Sequence, residues 1–148
     1  MKKFILLLLA LPLLAFAQKT PQGATYDAKI LRVTDGDTVV IAAPFLPAPF
    51  KPELAIRVFG VDTPEKGFRA QCPSEAQRGE AASAFTKKAI ESAAAGGGQF
   101  QVTMYGWDKF GGRVLGDILV NGQSLRAALI ANGFAREYYG EAKQSWCN

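Results

Sequence analysis

Two short acidic segments hold the groups most able to do chemistry: Asp35-Gly36-Asp37-Thr38 between two strand-like runs, and Asp62-Thr63-Pro64-Glu65 at the end of the next run, with Arg57 leading into it. Carboxylates gathered at strand ends can ligate a hard divalent cation, a further carboxylate can take a proton from water, and an arginine can meet a phosphate. The chemistry such a set supports is metal-dependent phosphodiester hydrolysis. The chain contains no histidine, which removes Ser-His-Asp and Cys-His mechanisms and histidine-ligated zinc hydrolases, and leaves a carboxylate as the general base. Each residue taken singly has an ordinary explanation. Asp35-Gly36 is a common hairpin turn, Asp62-Thr63-Pro64 a common turn start, and a lone arginine a surface charge or the partner of a nearby acid. Their joint occurrence is what argues for a site.

The elements that must hold these residues follow a leader. Lys2 and Lys3 precede an apolar run over residues 4–14 and then Ala15-Phe16-Ala17, the pattern of a cleaved secretory signal peptide spanning residues 1–17. That run is shorter than the roughly 20 residues a membrane-spanning helix needs, so no stable membrane association is expected after cleavage. The remainder, residues 18–148, suits one compact domain. Loss of Lys2 and Lys3 lowers the formal net charge from +4 to +2, too little to argue for a polyanionic partner by itself. Cys72 and Cys147 are the only cysteines. Export would take both to where disulfides persist, so an intramolecular bridge is expected, against two free thiols or an intermolecular bridge. Two thiols without histidine do not suggest zinc.

Residues 26–33 and 38–42 read as the first two strands, with Asp35-Gly36 supplying the tight turn. A loop over 44–52 follows, whose four prolines exclude a central strand and whose Phe45, Leu46 and Phe50 make it apolar for a connection. In the third strand, 54–61, Leu54, Ile56 and Val58 alternate with Arg57 and Phe59, so Arg57 leaves the face opposite the aliphatic set. Ser74 with Gln77 resembles a capping box that opens a helix bearing Ala81, Ala82, Phe85, Ala89 and Ile90, with Gly79 delaying its regular part and Gly96-Gly97-Gly98 ending it. Phe100, Val102 and Met104 alternate as a fourth strand, 114–120 form a fifth, residues 108–113 connect them, and Asn121-Gly122 turns the chain. A short helix from about Ser124 would bury Leu125, Ala128 and Leu129 and stop at Asn132-Gly133. The fold class is α+β. Five strands with one helix between the third and fourth, and a short C-terminal helix, is the order of an OB-fold β-barrel.

Asp35-Gly36-Asp37-Thr38, then Arg57, Asp62-Thr63-Pro64-Glu65, the helical stretch 80–88, and Asp108-Lys109-Phe110-Gly111-Gly112-Arg113 stand in an order that resembles the staphylococcal-nuclease-like thermonuclease family. The resemblance covers roughly residues 28–139. It implies an OB-fold nuclease that uses Ca²⁺ to hydrolyse single- and double-stranded DNA and RNA to 3′-phosphate and 5′-hydroxyl ends. It further implies that Asp37 and Asp62 bind Ca²⁺ through their carboxylates and Thr63 through its backbone carbonyl. Glu65 would be the general base, Arg57 and Arg113 would grip the phosphate, and Asp35 would tune the cation site without touching the ion.

Phe110 stands where the family pattern has tyrosine, and an extra glycine precedes Arg113. That glycine is expected to loop out without shifting the following strand. The expected protein is a periplasmic or secreted monomer. Two other functions fit parts of the sequence: a non-catalytic OB-fold module that binds single-stranded nucleic acid, and an envelope calcium-binding or protein-interaction domain suggested by the apolar 44–52 loop. Glu65 and the two arginines argue against the first.

Overall fold

The computed structural model describes residues 21–147, so the expected leader at 1–17 lies outside the described residues. In chain order the elements are β1 (Ala24–Asp27), β2 (Ile30–Asp35), β3 (Thr38–Ala42), β4 (Glu53–Val58), β5 (Val61–Asp62), a single 3-10 turn (Gly67–Arg69), α1 (Pro73–Ala95), β6 (Phe100–Trp107), β7 (Arg113–Val120), β8 (Gln123–Ser124), α2 (Leu125–Ala131) and β9 (Arg136–Glu137). The fold is α+β, as expected.

The main sheet runs β1-β6-β7-β4-β3-β2, with β8 on β7. The expected first strand is two. It breaks at Ala28-Lys29, which lets one run pair with β6 on one side through β1 and with β3 on the other through β2. No ladder joins β1 to β2, so the sheet is not a closed barrel, but its two outer strands are consecutive in the chain. The five expected strands are thus present as β1 with β2, β3, β4, β6 and β7. Among the described residues, only β4 and β7 pair in parallel, the connection that needs a long crossover, and α1 lies within it.

The expected third strand also divides. Gly60, at φ +76°, breaks it: a Cβ there would lie 2.9 Å from Arg126 Nε. Beyond the break, β5 leaves the main sheet and pairs with β9, placing Asp62 opposite Arg136. The 44–52 loop joins β3 to β4 at the Ala42–Glu53 end of their ladder, the end opposite Thr38 and Arg57. It therefore does not border the acidic turns.

Between sheet and helices lies the core, centred on Val39, Ile56, Val58, Ile118, Leu125 and Leu129. Fully burying side chains of this kind contributes roughly 1.5–3 kcal/mol each. Helix α1 begins at Pro73, not at a Ser74 capping box: Cys72 is the N-cap, with proline at the first helical position where its missing N–H costs nothing. Gly79 does not interrupt it. The buried stripe is Glu75, Gly79, Ala82, Thr86 and Ile90, so Ala81 faces solvent and the polar Thr86 takes an inward place. The helix ends at Ala95 before the glycines, and α2 is capped by Ser124, whose hydroxyl accepts from Ala127 N–H at 3.2 Å.

Cys72 and Cys147 are bonded to each other across a separation of 75 residues. Closing a loop of that size contributes on the order of 4–5 kcal/mol in the chain-entropy model, an upper figure. Among the described residues, no helix is long and apolar enough to cross a membrane.

Candidate active site

Helix α1 is the platform on which both acidic turns rest. A Cβ on Gly36 would meet Ala82 Cβ at 2.8 Å, and the Gly36 carbonyl accepts the buried Thr86 hydroxyl at 2.7 Å. One turn earlier along the same stripe, a Cβ on Gly79 would lie 2.4 Å from the Glu65 carbonyl oxygen and 2.9 Å from that of Pro64. Gly79 lets helix and turn touch backbone to backbone, and Gly36 lets its turn close onto the Ala82 methyl. Ahead of them, buried Glu75 accepts the N–H groups of Gln71 at 2.7 Å and Glu65 at 3.3 Å, which pins the segment after Asp62 to the start of the helix.

Strand register places the arginines. Thr38 faces Arg57 across β3–β4, and Arg57 faces Leu115 across β4–β7. Arg113 is two residues before Leu115, so both guanidiniums leave the same sheet face. Gly111 and Gly112, both left-handed, let the 108–113 turn loop out, and β7 opens at Arg113, one residue before the expected start at 114. Asp108 braces it from within that turn, taking Arg113 Nη2 at 2.6 Å. Burial pushes the Asp108 carboxyl up, but the hydrogen bonds from Arg113 and Phe110 N–H and the charges of Arg113 and Arg57 outweigh it, leaving it below the usual aspartate range.

The carboxylates divide by exposure. The side chains of Asp37 and Asp62 are 5% and 7% exposed, and that of Glu65 is 38% exposed. Buried, multiply held carboxylates suit cation binding; an open one suits exchange of a proton with water. Asp37 pairs with Arg57 at 3.2 Å and accepts the Thr38 hydroxyl at 2.9 Å. Asp35 takes Arg69 at 2.8 Å and Lys66 at 3.7 Å, and Arg69 also reaches Glu65 at 3.4 Å. The hydrogen bond to Asp35 and the Asp35 charge hold Arg69 more firmly protonated than an isolated arginine.

Asp62 is held from the C-terminal side. Trp146 donates its indole N–H to Oδ2 at 2.9 Å, and Lys143 Nζ stands 2.6 Å from Oδ1 and 4.0 Å from Glu65 Oε1. Oδ1 is buried and has no donor in hydrogen-bonding alignment, so its partner is the ammonium charge alone. An oxygen of this kind fits a cation, and the set of two buried carboxylates and the buried Thr63 backbone fits the oxygen preference of Ca²⁺, with water free to complete its flexible shell. Among the described residues, one trio of side chains of metal-ligating type has all its ligand atoms within 4.8 Å, namely Cys72, Glu75 and Cys147. Its sulfurs are bonded to each other and its carboxylate holds backbone N–H groups, so it is a brace and not a metal site.

The structure therefore links Asp35, Glu65 and Asp62 through Arg69 and Lys143, links Asp37 to Arg57, and sets Arg113 on the same face through Asp108. Lys66, Arg69, Glu75, Asp108, Lys143 and Trp146 were not legible as site residues. Only two had a local cue: Arg69 follows Glu65 by four positions, and Asp108 opens the turn that ends at Arg113.

The model of the staphylococcal nuclease homologue family matches residues 55–146. The chain belongs to the staphylococcal nuclease homologues. The match takes in Arg57, Asp62, Thr63, Glu65, Arg113, Lys143 and Trp146, while Asp35 and Asp37 lie before it and are joined to it by the β3–β4 ladder and α1. No curated protein matches the chain. Membership accounts for the OB-like strand order and for a nuclease-type frame.

Proposed function

We propose that this protein is a calcium-dependent nuclease that hydrolyses DNA and RNA to 3′-phosphate and 5′-hydroxyl ends. On this reading residues 1–17 are removed on export and 18–148 act as one monomeric domain in the periplasm or outside the cell. The observation that bears most weight is the buried Asp62 carboxylate, whose Oδ1 meets a positive charge and no aligned donor.

Asp37 and Asp62, with the Thr63 carbonyl, would hold the ion. Bound Ca²⁺ would supply positive charge to polarise a phosphate oxygen and lower the cost of forming hydroxide. Glu65 is the accessible carboxylate beside them and would take the proton from the attacking water. Arg57 and Arg113 would exchange Asp37 and Asp108 for non-bridging phosphate oxygens, and their hydrogen bonds would strengthen as negative charge accumulates in the five-coordinate transition state. Asp35 would keep Lys66 and Arg69 turned toward the turn, off the ion itself. Contacts of this kind address the phosphodiester and not the base, so cleavage would show little sequence preference and extend to both DNA and RNA.

The test is cleavage of single-stranded DNA by the purified protein in calcium and in chelator, with end-group analysis. Cleavage confined to calcium and leaving 3′-phosphates is expected. Undiminished cutting in chelator would refute the metal assignment, and strand binding without any cutting would make the chain a binding module on a nuclease frame.

A further inference from the structure

Both oxygens of Asp62 are occupied by the segment that ends in the disulfide. Trp146 is 7% exposed, and its indole N–H reaches Oδ2 at 2.9 Å, while Lys143 faces Oδ1. Three contacts hold the indole there: the next residue, Cys147, is bonded to Cys72 at the α1 N-cap; the Arg136 guanidinium lies 3.7 Å from the ring centroid; and Arg78 Nη1 donates to the Trp146 carbonyl at 3.2 Å. Arg136 is also the residue opposite Asp62 in the β5–β9 ladder, so one ladder places both the carboxylate and the cation that packs its indole partner. An indole N–H is a neutral donor with no acceptor. It can fix one carboxylate oxygen without neutralising the charge of the other.

We propose that Trp146 is a positioning residue for the cation site: its indole N–H orients Asp62 so that Oδ1 ligates the divalent cation, with the Lys143 ammonium holding that place until the ion arrives. The inference rests on the calcium reading above. A hydrogen bond to a ligating carboxylate that is lost typically weakens metal affinity by about 10–100-fold. Trp146→Phe keeps an aromatic ring facing Arg136 and removes the N–H together with the five-membered ring that carries it.

Calcium affinity of the purified protein, measured by calorimetry, tests this directly. Trp146→Phe is expected to bind about tenfold more weakly than the parent with unchanged circular dichroism; binding within twofold of the parent would overturn the inference. If the variant fails to fold, the parent protein decides. With ¹⁵N labelling, the Trp146 indole N–H resonance is expected to move with calcium while that of Trp107, which is 65% exposed, stays in place. A Trp146 resonance that does not move at calcium saturation would overturn it. Asp37→Asn and Asp62→Asn separate the two claims. If neither weakens calcium binding, the calcium reading falls and this inference with it; if both do and Trp146→Phe does not, only this inference falls.

Discussion

Asp108 shows how a single side chain ties acid stability to the site. Its carboxyl titrates below the usual range in the folded protein because Arg113 and the Phe110 N–H overcome the effect of burial. A group whose folded pKa is depressed contributes stability that is fully present above its unfolded value, about 3.9, and is lost as pH falls through the folded value. Asp108→Asn is therefore expected to flatten the fall in stability below about pH 4, measured as the urea midpoint against pH. An unchanged slope would mean that the Arg113 pair contributes nothing. At this scale the acidic turns and both arginines were legible from type and spacing, because their chemistry is local. Lys143 and Trp146 were not, since nothing near them in the chain signals a partner 81 or 84 positions away.

At the scale of elements, α1 does more than cover the sheet. Its inward stripe of Glu75, Gly79, Ala82 and Thr86 meets both carboxylate turns, through close backbone contact at Gly79 and a hydroxyl at Thr86. Replacing a mid-helix glycine by alanine ordinarily stabilises by about 0.5–1 kcal/mol. Here the sign is expected to reverse: a Cβ at 79 would sit 2.4 Å from the Glu65 carbonyl, and overpacking of this kind costs roughly 1–3 kcal/mol. Urea denaturation of Gly79→Ala measures it, and a stabilised variant would contradict the contact. Alternation and turn residues revealed the five longer strand runs and both helices, with β3 matching its expected bounds. What they missed were the two-residue strands β8 and β9, the breaks at Ala28-Lys29 and Gly60 and the role of Gly79. Those are set by which neighbour each half must pair with or touch, a tertiary demand that leaves no periodic signal.

For the molecule as a whole, the Cys72–Cys147 bridge joins the start of α1 to the segment bearing Lys143 and Trp146, so it bears on fold and site together. Cys72→Ser with Cys147→Ser is expected to lose about 2–4 kcal/mol of stability, read from urea unfolding beside the oxidised parent; a loss under 1 kcal/mol would mean that packing alone holds the segment. The central claim is that Glu65 takes a proton at a site whose cation is held by other residues. It is tested most directly by the rate of oligonucleotide cleavage by Glu65→Gln at saturating calcium, with calcium affinity measured on the same sample. The account predicts a fall in cleavage of at least about 100-fold, within the range for loss of a general base, with calcium still bound. Cleavage at the parent rate by a calcium-loaded Glu65→Gln would contradict it.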